Sequence, residues 1–208
     1  MSTRPAKPLQ PTREERRLEL ARYFIEEVTP MLAAGEAYAD LSVARMIGAV
    51  GISRSTFYSY FDDKPDLLRA MGEDITQDLA AAGAHWFGLG VPADRAELRA
   101  ALRPLFDTYR RHQLILRSIT EAASYDDGMR ELHAGLVTRA AEGLTAHLAQ
   151  LESDGRQHPL DPQRASLWLV WMLERGLYQV VAPARDREAG KQLDTVVELV
   201  WRMLYGSA

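Results

Sequence analysis

Between Ser53 and Lys64 the chain concentrates side chains able to make directional hydrogen bonds: Ser53, Arg54, Ser55, Thr56, Tyr58, Ser59, Tyr60 and Lys64. Arginine presents a planar fork that matches guanine O6 and N7 or grips a phosphate. Serine and threonine hydroxyls reach phosphates or base edges, and the threonine methyl can meet a thymine methyl. Tyrosine hydroxyls donate to phosphates, which position a protein on a duplex without reading its sequence. A lysine at a helix start adds its charge to free backbone amides and the favourable end of the dipole. The chemistry available here is recognition of a polyanion with base edges, not bond making.

The surrounding pattern predicts the elements that present these groups. Ser42 caps a short helix whose apolar positions Val43, Met46, Ile47 and Val50 recur at helical spacing. Gly51 can adopt positive φ and turn the corner, and Ile52 plugs it from inside. Ser53 caps a second helix, in which Phe57 and Phe61 turn inward and leave Arg54, Ser55, Thr56, Ser59 and Tyr60 outward, with Tyr58 partly inward. Two helices joined by a glycine turn form a helix-turn-helix, whose second helix enters the DNA major groove. Lys64 and Pro65 open the next helix.

The stretch Gly51-Ile52-Ser53-Arg54-Ser55-Thr56-Phe57-Tyr58-Ser59-Tyr60-Phe61, followed by Asp62-Asp63-Lys64, resembles the DNA-binding head of the tetracycline-repressor family of bacterial transcriptional regulators. Segments WMLERGLYQ and LDTVVELVWRMLYG resemble most closely a mycobacterial branch, the repressor of an ethionamide-activating monooxygenase. The resemblance implies an all-α protein with a three-helix head on a larger helical body, about nine helices in all. It implies DNA contacts at Ser42, Ser53, Arg54, Ser55, Thr56, Tyr58, Ser59, Tyr60 and Lys64. It also implies a small-molecule pocket in the body, a homodimer built on the last two helices, and release from operator DNA when ligand binds. An activator using the same head, or a protein-binding module that has lost DNA, are the competing functions.

Whole-chain quantities fit that division. The 208 residues carry a net charge of −4, and 47% are hydrophobic. Residues 1–64 hold nine Lys/Arg against nine Asp/Glu, so the excess acid lies in the body. The sequence predicts a leader over residues 1–11, with Pro5, Pro8 and Pro11, able to lie along DNA. It predicts a DNA-binding domain over 12–63, and a ligand-binding and dimerisation domain over 64–208. There is no cysteine, and no apolar run of membrane-spanning length, so a cytoplasmic protein is expected. No HExxH, GxSxG or phosphate-binding glycine loop occurs, and neither an enzyme, a cofactor nor a metal is expected. His133 and His147 read as solvated or cavity-edge residues.

Thr12 in the head and Asp94 in the body are expected to cap the first and fifth helices, and Pro30 and Pro104 are expected to bend or interrupt them. A short helix is expected over 112–124, a long one over about 126–153, and Asp161-Pro162 to open the next. Ala80 to Gly90 is expected to loosen. Leu167 to Leu173 is apolar almost all round and calls for cover from a second subunit. Candidate ligand-lining residues are Trp86, Phe87, Phe106, Tyr109, Leu114, Met129, Trp168, Val170, Trp171, Met172, Leu173 and Tyr178. Under the resemblance, Val170 and Leu173 replace polar amides, implying a greasier pocket for a lipid-like, aromatic or terpenoid-like ligand and not a cation.

Overall fold

The computed structural model describes residues 12–154 and 161–206. The leader of residues 1–11 and residues 155–160, between the helices expected to end near 153 and to open at Asp161, lie outside the described residues. Eight α-helices follow one another, with no strand among the described residues: α1 (Arg13–Ala33), α2 (Val43–Val50), α3 (Arg54–Tyr60), α4 (Lys64–Phe87), α5 (Arg95–Ala122), α6 (Asp127–Ser153), α7 (Pro162–Gly176) and α8 (Asp186–Val200). A π turn, Leu177–Val181, extends α7, and another, Trp201–Tyr205, extends α8. The chain divides into two compact units, and the division falls inside α4, between Asp74 and Ile75.

The first unit is built on local signals. Thr12 caps α1 through its side chain, and Glu15 returns a hydrogen bond to the Thr12 amide, a reciprocal capping box. Helix α1 runs through Pro30. The proline cannot donate to Glu26 O, while Thr29 Oγ1 donates to Ile25 O at 2.6 Å. The apolar stripe Ala21, Phe24, Ile25, Val28 and Leu32 is buried, and its burial outweighs the local cost of the proline. Phe24 meets Phe57 and Phe61 edge-on, each with ring centroids 5.9 Å apart. Burying each such ring contributes about 1.5–3 kcal/mol. Phe57 and Phe61 thereby anchor α3 onto α1.

The second unit contains the rest of α4 and the helices after it. Ala80–Phe87 does not loosen; it completes α4 as regular helix. Helix α5 is also one piece of 28 residues, with Pro104 inside it, where the sequence suggested a break and a separate short helix. Its buried face, from Leu98 and Leu102 through Phe106 and Tyr109 to Ile115 and Ile119, is continuous across the proline, so packing overrides the missing hydrogen bond. Asp94 caps α5, and Glu97 reaches back to the amide of Ala93 at 2.6 Å. Helices α5 and α8 run antiparallel, joined by Arg95–Glu198, Arg99–Asp194 and Arg110–Asp186. Asp161 caps α7 with Pro162 in its first turn.

Candidate nucleic-acid interface and body cavity

Helix α2 starts on Ser42, whose side chain accepts from the Arg45 amide, and ends on Gly51 at φ +75°. That left-handed residue swings the chain into Ser53, which caps α3 by accepting from the Thr56 amide at 3.0 Å. Ser53 Oγ also lies 2.8 Å from both Ser55 Oγ and Thr56 Oγ1, gathering three hydroxyls at the first turn of α3. Arg54 is exposed, and its guanidinium stands 5.5 Å from the centroid of the Tyr58 ring. Tyr58 itself is 45% exposed, more open than the sequence suggested. Ser55 and Ser59 are exposed, and Thr56 and Tyr60 are half-buried. Arg13 of α1 donates to Ser59 O at 2.8 Å, tying the C-terminal turn of α3 to α1. One short, well-anchored helix therefore presents an arginine, two tyrosines and several hydroxyls on its outer side.

Lys64 stands differently. Its ammonium donates to the carbonyls of Ala39 at 2.5 Å, Leu41 at 3.2 Å and Tyr38 at 3.3 Å, while Tyr38 Oη donates back to Lys64 O at 2.9 Å. The charge expected at a phosphate is directed into the turn between α1 and α2. Arg17, from α1, is buried against Asp66 and Glu73 at 2.9 Å each, with Glu14 at 3.5 Å and the Phe61 ring beneath it.

In the second unit a cavity of about 550 Å³ opens among α4, α5, α6, α7 and the turn after α7. Of the residues expected at a ligand, Trp86, Phe87, Tyr109, Val170 and Leu173 line it. Phe106 and Met129 are buried in the core and do not line it. Leu114 and Tyr178 are half-buried outside the lining. Trp168, Trp171 and Met172 point outward instead, Trp168 being 77% exposed. The reason is helical phase: on α7, Leu169, Val170 and Leu173 turn inward and their neighbours must turn away.

Sequence reasoning missed Thr76, Leu79, Ala80, Gly83, Ala84 and Gly88 of the α4 side, Leu136, Val137, Arg139, Ala140 and Gly143 of α6, and Leu105, Glu174 and Leu177. A signal was present. Small residues on α4 (Ala80, Gly83, Ala84) and on α6 (Ala140, Gly143) leave a space that larger side chains would fill. The lining is also less uniformly greasy than expected, because it includes Glu174.

Behind the cavity wall, Trp86 Nε1 donates to Tyr205 Oη at 2.9 Å, and His147 Nε2 lies 2.7 Å from the same oxygen. His147 Nδ1 is 3.0 Å from Phe87 O. His147 is only 4% exposed, so it is not solvated; it stands at the cavity edge, against the lining residues Trp86 and Phe87. Burial lowers its pKa from the ordinary 6.5, opposed by the hydrogen bond to Phe87 O. Burial, with the Glu174 carboxylate next, raises that of Tyr109. No group of three or more His, Cys, Asp or Glu positioned for a metal occurs among the described residues. No helix among them is long and apolar enough to cross a membrane.

Residues 27–71 match the family model "Bacterial regulatory proteins, tetR family". Over 207 residues the chain is 24% identical to the HTH-type transcriptional regulator EthR of Mycolicibacterium smegmatis, covering 98% of this chain and 91% of that protein. A structure assigned as a TetR-family transcriptional regulator from Syntrophomonas wolfei superposes with a TM-score of 0.69 at 16% identity, covering 95% of this chain and 98% of that one. A regulator from Saccharomonospora viridis, solved in complex with choline, gives 0.63 at 16% identity, covering 88% and 96%. Residues 27–71 thus carry a tetR-family match, and the all-helical chain around them is similar in sequence to EthR and in fold to TetR-family transcriptional regulators.

Proposed function

We propose that this regulator is a repressor: a homodimer that binds a near-palindromic operator and leaves it when a small molecule fills the body cavity. The observation that carries this reading is the outer side of α3. Arg54, Ser55, Tyr58 and Ser59 are exposed on a helix anchored by a buried Phe57 and a serine cap. Under this reading residues 12–63 form the DNA-binding domain and residues 64–208 the ligand-binding and dimerisation domain. Arg54 reads a base edge, Thr56, Ser55 and Ser59 contact phosphates or bases, and Tyr58 and Tyr60 donate to phosphates. Ser42 and Ser53 contribute at the two helix starts. Lys64 acts by holding the turn between α1 and α2.

Dimerisation is supported by a band of exposed apolar side chains: Leu167, Trp168, Trp171 and Met172 on α7, Val180 beyond it, and Leu199 and Met203 at the end of the chain. On α7, exposed apolar residues at i, i+1, i+4 and i+5 are characteristic of a covered surface, and a two-fold axis through it would set two reading helices one or more helical turns apart. The cavity volume lies in the range that holds a small organic molecule. A ligand that lowers operator affinity about 100-fold must favour the released state by about 2.7 kcal/mol.

Selection of bound fragments from random and genomic DNA by the purified protein, at fixed salt, tests the reading. A near-palindromic consensus overlapping promoters supports a dimeric repressor; a consensus placed upstream of them supports an activator. No enrichment by a folded protein rejects DNA recognition.

A further inference from the structure

The charged residues of the cavity lining are Arg139 and Glu174, and they are not equivalent. Arg139 is exposed, so its charge is solvated. Glu174 is 8% exposed, and its Oε2 atom is buried with no hydrogen-bond donor. The other oxygen, Oε1, lies 3.2 Å from His133 Nε2. Arg175 Nε sits 3.8 Å from Oε2, beyond hydrogen-bond length, and its guanidinium is held over the Tyr178 ring at 5.7 Å. A buried carboxylate oxygen left without a donor carries its full desolvation penalty. The rest of the wall is mostly apolar, with Trp86, Phe87, Leu136 and Val170, and carries the hydroxyls of Thr76 and Tyr109.

We infer that the cavity takes an apolar amine, a molecule with one protonated nitrogen on a hydrocarbon or aromatic body, and that the Glu174 carboxylate turns Oε2 toward the cavity to accept a hydrogen bond from that nitrogen. The inference rests on the cavity being the effector site, and it names the chemistry of the effector. An amine supplies both things the site lacks, a donor for Oε2 and a positive charge inside an apolar enclosure. Its hydrocarbon part supplies the apolar contact. A neutral alcohol offers a donor without charge, and a carboxylate offers neither and would meet Glu174 as a like charge.

The test uses three probes on one frame: 4-phenylbutylamine, 4-phenylbutanol and 4-phenylbutanoate. Calorimetric titration of the full-length wild-type protein is expected to rank the amine above the alcohol by about 10- to 100-fold, the range set by a hydrogen bond to a charged group, with no binding of the acid. Glu174→Gln is expected to bring the amine to within about threefold of the alcohol. Equal affinities of amine and alcohol for the wild-type protein overturn the inference without any variant being needed. So does a Glu174→Gln protein that keeps the amine preference. Binding of the alcohol and acid alone leaves the effector-site reading standing and rejects the amine. Binding of none of the three rejects the effector-site reading and this inference with it.

Discussion

Trp86 and Tyr205 lie 119 residues apart in the chain and are joined by a buried hydrogen bond of 2.9 Å. Tyr205 Oη also faces His147 Nε2, so one hydroxyl ties the end of α4 and the middle of α6 to the last turn of the chain. Trp86 is part of the cavity wall. Tyr205→Phe keeps the ring and removes the hydroxyl, stranding two buried nitrogens. The expected cost is about 1–3 kcal/mol, read as a lower urea midpoint at an unchanged m-value.

The histidine in this trio predicts a pH dependence. His147 has its pKa lowered by burial, so between its folded value and the ordinary 6.5 the unfolded chain binds the extra proton. Stability contributed by the neutral imidazole is present above about pH 6.5 and is lost as pH falls toward the folded value. Thermal melts of the wild-type protein and His147→Gln at pH 5 and pH 7.5 check this. The wild type should lose more of its melting temperature on acidification than the variant.

Gly143 carries the shape of the cavity. A Cβ there would stand 2.8 Å from Phe87 Cε2 and 3.1 Å from Cδ2. Gly143→Ala must push the Phe87 ring, which also lines the cavity, at an expected cost of about 1–3 kcal/mol. The checks are calorimetric affinity for a bound amine or alcohol, expected to fall, and operator affinity without ligand, expected to hold.

In the first unit Arg17 offers a test of buried charge. Arg17→Met keeps much of the packing on Phe61 and strands Asp66 and Glu73. Asp66 retains Arg69 at 3.1 Å and Glu73 is partly open to water, so the cost should be about 2–3 kcal/mol, below that of a fully buried broken pair. Chemical denaturation followed by helical circular dichroism measures it.

Arg54 and Lys64 should separate recognition from support. Arg54→Ala should weaken specific operator binding by about 1–3 kcal/mol and relax preference at one base position. Lys64→Met removes the donor to three backbone carbonyls, and should lower the stability of the head by about 1–2 kcal/mol. It should leave the salt dependence of DNA binding unchanged, because its charge faces the turn. Fluorescence anisotropy over a salt series, beside a denaturation curve, distinguishes the two.

What the sequence determined by itself was local. The caps Thr12, Ser42, Ser53, Asp94 and Asp161, the left-handed Gly51, and the inward Phe57 and Phe61 are all settled within a few residues of chain, where side-chain chemistry meets unsatisfied backbone groups. The all-helical class was what the resemblance to the tetracycline-repressor family implied. Tertiary structure decided everything that required knowing which face meets which partner. Continuous burial carried α5 past Pro104 despite its missing amide. Helical phase turned Val170 and Leu173 toward the cavity and Trp168, Trp171 and Met172 away from it. Lys64 became a turn support, and His147 a buried cavity-edge group, only because elements far away in sequence came within hydrogen-bond reach. Glu174 gave no sign in sequence of its place in the cavity. A carboxylate beside an arginine reads as surface, and only the packing of α7 among its neighbours put Oε2 out of reach of any donor.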